Sequence, residues 1–246
     1  MVSNISYRLI AFADYSNIRY DNDTAALLTS KFSEDQYNFS QILDPNAMGQ
    51  LIPGFALVPG ININSPIITV FPGKIDIRVG SNRKEGFSTD EQITAGNILC
   101  DYFKRFSNCF GDKLQDSNRL ALITEYVYFE IGNTEKGAFR DKFINAPACY
   151  DGKKTDEMVV KIFGKDRKTF NGRDEDINFI TTVDRWFPGG GIGMTASVDG
   201  YRVELDLNTS PENKKNRFEA SAIPEFVEQM QKLKAEVIKE IFDDCE

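Results

Sequence analysis

The order of apolar and polar positions along the chain switches between two periods. From Lys74 to Val79, Ile75, Ile77 and Val79 alternate with Lys74, Asp76 and Arg78. A period of two predicts a half-buried antiparallel strand. Pro66–Phe71 reads as its partner strand, with Pro72-Gly73 as the turn between them. Ile5–Phe12 and Arg119–Ile131 are further strands, the second dense in β-branched and aromatic residues. The period changes at Ser88. Ser88 and Glu91 form a capping box, in which each side chain satisfies a free backbone N–H of the other's residue. Ile93, Gly96, Leu99, Phe103, Phe106 and Phe110 then recur at helical spacing, and Gly111 follows where a helix commonly ends. A shorter helix is predicted through Ala25, Ala26, Leu27, Leu28 and Phe32, with Asp23 or Thr24 as its cap. Asn38–Asn64 contains Pro45, Pro53, Gly54, Pro59 and Gly60, and predicts a long surface loop with an edge strand at Phe55–Val58.

The second half repeats this grammar. Met158–Phe163 and Ile177–Val183 read as strands. Met194–Val198 and Tyr201–Leu207 are predicted to pair through the two-residue turn Asp199-Gly200. A terminal helix runs from about Ser221 to Phe242, with Phe226, Met230, Leu233, Val237 and Ile241 as its apolar stripe and Gln229, Lys232, Lys234, Glu236 and Lys239 largely off it. The expected class is α+β: a mostly antiparallel sheet or sheets with two long helices packed on them. Residues 1–246 are expected to form one domain. Strands followed by a helix occur twice, which fits a degenerate duplication of halves 1–131 and 132–246 sharing one core, although no residue-level repeat is visible.

Composition narrows the chemistry. The chain has no histidine, so no histidine can serve as general base, nucleophile activator or metal ligand. Its formal net charge of −8 disfavours a nucleic-acid backbone as partner. Such a charge chiefly keeps a protein soluble, and a nucleic-acid mimic would need the acidic residues gathered on one face. Cys100, Cys109, Cys149 and Cys245 include no C-x-x-C pair and are expected to be reduced thiols of a cytosolic protein. The N-terminus lacks the pattern of a signal peptide, and no apolar run approaches the roughly 18 residues of a membrane helix.

Two constellations could carry chemistry. Gly189, Gly190, Gly191 and Gly193, after Pro188, could bring backbone N–H groups to a phosphate. A phosphate loop, however, leads into a helix with a Lys-Ser or Lys-Thr pair, whereas Met194–Val198 reads as a strand. A plain connection between strands is the competing reading. Glu204 and Asp206 lie two apart on a strand and share a face, and Asp184 and Asp199 could join them to supply the hard oxygen ligands of Mg²⁺. The competing reading is the polar side of an amphipathic strand, with Arg202 and Asn208 completing it. Asp174-Glu175-Asp176, beside Asn171-Gly172, reads as a solvated turn. Tyr126 and Tyr128 read as sheet packing.

The stretch Ile67–Glu130, containing ITVFPGKIDIRV and NRLALITEYVYFE, together with VELDLN and the terminal EVIKEIFDD, resembles a sporadically distributed family of uncharacterised bacterial proteins of similar length. The family's third strand carries an amide after its tyrosine, and ITEYVYFE lacks it. The resemblance implies the fold and a bacterial cytosolic setting, and assigns no catalytic residue. The expected function is a non-enzymatic cytosolic binding or regulatory protein with a protein partner and no cofactor, and a mobile or defence-related gene neighbourhood fits it. The alternatives are a divalent-metal-dependent phosphoryl-transfer or nuclease-type enzyme built on the clustered carboxylates, and an acidic nucleic-acid mimic. Oligomeric state stays open.

Overall fold

A computed structural model describes residues 2–45, 49–60, 65–81, 86–129, 139, 143, 159–186 and 200–242. In chain order the elements are β1 (Val2–Phe12), α1 (Asn22–Lys31), β2 (Tyr37–Pro45), β3 (Leu51–Pro59), β4 (Ile67–Phe71), β5 (Lys74–Gly80), α2 (Thr89–Phe110), β6 (Arg119–Phe129), β7 (Val159–Phe170), β8 (Arg173–Trp186), β9 (Gly200–Thr209) and α3 (Ile223–Phe242). The nine strands form one sheet in the order β2-β3-β4-β5-β1-β6-β9-β8-β7. Every pairing in it is antiparallel. The fold is therefore α+β, as the alternating patterns predict.

The central pair is β1 and β6. On one flank β2–β5 meander back to lie beside β1; on the other β7–β9 meander back to lie beside β6. One face of the sheet carries the helices. Tyr7, Leu9 and Ala11 of β1, Ile75, Ile77 and Val79 of β5, Leu120 and Leu122 of β6 and Leu205 and Leu207 of β9 point to this side. They pack with Leu99, Phe103 and Phe106 of α2 and Phe226, Met230 and Leu233 of α3. A second cluster follows the same face toward the end of α3, where Tyr126, Tyr128, Tyr201 and Val203 meet Ile241 and Phe242. The tyrosines of β6 thus serve packing, as their strand positions predict.

The α2 boundaries follow the sequence signals closely. Ser88 caps the helix, the reciprocal bond to Glu91 is made, and Gly111 closes it with φ of 51°. The first turn departs from prediction. Ile93 is exposed while Ala95 is buried, because the stripe begins at Gln92 and Ala95 where α3 crosses. The α1 cap is Asp21, whose carboxylate accepts from the Thr24 backbone, in place of Asp23 or Thr24.

The larger correction concerns 38–64, where the predicted loop is the β2–β3 hairpin. Its prolines cost little hydrogen bonding. Pro45 ends the outermost strand, and β3 meets β4 only through Phe55–Leu57, which leaves Pro53 beyond that ladder. Gly54 is required for a different reason: a Cβ there would come within 2.3 Å of the Val70 carbonyl oxygen. In the second half, β7 and β8 form a long hairpin whose tip is Asn171-Gly172, both at positive φ. Asp174-Glu175-Asp176 belongs to β8, so it is no turn. Glu175 is buried and bonded to Arg217 at 2.8 and 2.9 Å. β9 pairs with β6 and β8, and the predicted partner strand Met194–Val198 lies outside the described residues.

Candidate functional site

Strand alternation sends a second set of side chains to the face opposite the helices. Across five neighbouring strands, β5, β1, β6, β9 and β8, this set is a lattice of arginines and carboxylates around the small apolar cluster Ile10, Ala121 and Ile123. Arg8 of β1 grips Asp76 of β5 through Nη2–Oδ2 at 2.5 Å and Nε–Oδ1 at 3.4 Å. Arg78 of β5 reaches across β1 to Glu125 of β6 at 3.3 Å. Arg202 of β9 binds Asp184 of β8 through Nη2 at 2.5 Å and Nε at 3.1 Å, and its other amine lies 3.9 Å from Glu125. Arg119 lies over the Phe12 ring, 4.6 Å from its centroid.

The sheet register also sets Glu125 directly opposite Glu204. Burial, and then this facing carboxylate, hold Glu204 above the usual carboxylate range. Burial likewise raises Asp206, against the Asn208 amide that donates to it at 3.0 Å. Asn208 is in turn held by Asn178 at 3.1 Å.

The structure brings Asp184, Glu204 and Asp206 to one face, but not to one point. Asp184 is engaged by Arg202, Glu204 faces Glu125, and Asp206 lies a further strand step along. Among the described residues no three His, Cys, Asp or Glu side chains converge as a metal ion would require. Gly189, Gly190, Gly191 and Gly193, with Asp199, lie outside the described residues.

A different polar centre, which reading the sequence missed, lies on the covered face. Lys234 of α3 is only 6% exposed. Its ammonium donates to the Tyr7 hydroxyl at 2.5 Å and to Gln92 Oε1 at 2.9 Å, and Tyr7 donates to the same Gln92 oxygen at 3.1 Å. Burial pushes Lys234 down to about 8. Burial also drives Tyr7 well above the ordinary tyrosine range. One signal for this centre was present: Lys234 stands four residues after the core residue Met230, and four-spacing keeps it on the same side of the helix.

Of the four cysteines, Cys100 and Cys109 are described, and both are free thiols. Burial pushes Cys100 up to about 12 and also raises Cys109, so neither is an activated nucleophile. No helix among the described residues is long and apolar enough to cross a membrane. Comparison with known proteins found no matching family model, no matching curated protein and no matching solved structure.

Proposed function

We propose that this protein is a non-enzymatic, cytosolic binding protein that recognises another protein through the sheet face opposite its helices. The observation that carries this reading is the arginine–carboxylate lattice across β5, β1, β6, β9 and β8. Asp76, Glu125 and Asp184 are each tied to an arginine. Their charges are fixed in position, which suits complementary recognition better than proton transfer. Arg8, Arg78, Arg119 and Arg202 are interleaved with the acids, so this face lacks the single sign that a nucleic-acid mimic needs. The order of strand, returning meander and long helix occurs twice, as β1 to α2 and as β6 to α3, which supports a degenerate duplication divided before Arg119 and not after residue 131, with the lattice astride its junction.

Affinity capture from the native host tests the reading when native protein is compared with Arg78→Glu and Arg202→Glu. Lys239→Glu, on the exposed side of α3, serves as control. A partner retained by native and control protein but lost by both lattice variants is the expected result. A partner retained by all four places recognition elsewhere. One observation keeps the metal reading as the alternative: Glu204 and Asp206 share a face and are both held toward their protonated forms. Calorimetric binding of Mg²⁺ or Mn²⁺ that Glu204→Gln abolishes would favour that alternative.

A further inference from the structure

The outermost strand on the second flank is β7. It runs for 12 residues and pairs with β8 in an unbroken register. It contains no proline, and its outer backbone edge has no strand against it among the described residues. An edge of this length is ordinarily kept from pairing by a bulge, a proline or charge. Here charge alone is present, and it is interrupted: Val159 is 71% exposed, Ile162 48% and Phe163 56%. These are among the most exposed large apolar side chains of the described protein, and they sit together on one edge.

The side chains of β7 define what fits there. Val159, Lys161, Phe163, Lys165 and Arg167 share the face opposite the helices, since their partners in β8 include Asp184, Thr182, Ile180 and Asn178. Arg167 is occupied by Asp176 at 3.0 Å. Lys161 and Lys165 are exposed, and neither has a salt-bridge partner within 4 Å among the described residues. The edge therefore presents cation, aromatic ring and cation at successive positions of one strand face.

We propose that β7 takes an extended segment of a partner protein as a tenth strand, with the alternation acid–x–apolar–x–acid. Backbone hydrogen bonds of the added strand supply affinity. The two acids opposite Lys161 and Lys165 and the apolar residue on Phe163 set the register. A second copy of this chain fits poorly. In the two-fold register that puts Phe163 on its twin, Lys161 faces Lys165 twice, and like charges directly opposite repel. The proposal rests on the reading that this protein binds other chains, and the residues it uses lie outside the arginine–carboxylate lattice.

The test is fluorescence anisotropy on the full chain with three capped, labelled peptides. One has the core Glu-Thr-Val-Thr-Glu, one has the core Lys-Thr-Val-Thr-Lys, and one is the acidic peptide with its central valine replaced by proline. The native protein is expected to bind the acidic peptide at least tenfold more tightly than either of the others. The double variant Lys161→Glu/Lys165→Glu is expected to reverse the charge preference, and Arg78→Glu to leave it unchanged, which separates this edge from the lattice. Equal affinity for the acidic and basic peptides, or no binding of the acidic peptide, overturns the proposal on native protein alone. A preference that survives the double variant, its fold checked by circular dichroism, also overturns it. A native dimer in sedimentation that Phe163→Asp dissolves would assign the edge to a second copy instead.

Discussion

Among the described residues two cations are buried to nearly the same depth and are treated in opposite ways. Arg217, 8% exposed, meets Glu175 in a two-pronged bond and donates also to the carbonyls of Asn118, Asn213 and Lys215. Lys234, 6% exposed, meets only a phenol and an amide. The first pins the segment before α3 to β8 and to the start of β6 with a full complement of partners. The second leaves a positive charge between α2, α3 and β1 that neutral groups solvate and that no carboxylate among the described residues bonds. Equal burial thus implies different energetics: the arginine pair is costly to break, and the lysine is costly to keep charged.

Removing each cation in turn should have opposite effects. Arg217→Met strands the Glu175 carboxylate in the interior and should destabilise the fold by about 3–5 kcal/mol in chemical denaturation. A loss below about 1 kcal/mol would show that water reaches Glu175. Lys234→Met should act in the opposite direction at neutral pH. The folded pKa of Lys234, about 8, lies below the ordinary value of 10.5, so the unfolded chain holds the proton more tightly. That penalty is present in full below pH 8, shrinks as pH rises, and is gone above 10.5. Lys234→Met should therefore be roughly 2–3 kcal/mol more stable than native protein at pH 7, with the gap narrowing from pH 8 toward 10. A gap independent of pH would mean that the folded protein holds the Lys234 proton as tightly as the unfolded chain does. Above pH 10 both proteins should lose stability, because burial raises Tyr15 and Tyr126 to about 12 while unfolded tyrosines ionise near 10.

Neutral and like-charge partners carry smaller effects. Gln92→Leu removes the oxygen shared by Lys234 and Tyr7 and should cost about 1–3 kcal/mol at pH 7, and less at pH 10. The smallest effect belongs to the opposite face. Glu204 is held above the usual carboxylate range, so its charged form is disfavoured on folding, and the cost appears as pH rises past the unfolded carboxylate value. Glu204→Gln should stabilise by about 0.2–1 kcal/mol at pH 7, the scale of a like-charge cross-strand pair, and by almost nothing at pH 4. Destabilisation at pH 7 would mean that an arginine neutralises Glu204.

Elements whose own side chains set the period were legible in the sequence. β4, β5, β6, α2 and α3 declared themselves because an alternating or helical stripe faces a core. The β2–β3 hairpin did not, because its prolines and Gly54 imitate a loop. Their tolerance depends on where β4 ends and how closely Val70 approaches, and neither is a local property. For the lattice, the shared face of Glu204 and Asp206 was visible from their spacing of two. The arginines that join five strands were not, since Arg8 meets Asp76 and Arg78 meets Glu125 only through the register of strands far apart in sequence. Lys234 was misplaced because a charged residue beside Leu233 reads as the wet edge of a helix, although its spacing from Met230 argued otherwise.

The placement of β1 has a consequence for how the chain acquires its structure. Among the described strands β1 is synthesised first, and it is one of the two central ones, with β5 and β6 as its neighbours. The hairpins β2–β3, β4–β5 and β7–β8 can close from short loops as they appear, whereas β1–β5, β1–β6 and β6–β9 each join strands separated by long stretches of sequence. On a ribosome delivering the N-terminus first, β1 stays unpaired until β5 has emerged and half-paired until β6 follows. Docking of the β2–β5 meander onto β1 is the step expected to limit the rate, because it closes the longest stretch of sequence before β6 is available. A refolding rate slow for the protein's helix content, and slowed further by Leu9→Ala in β1, would be its kinetic signature.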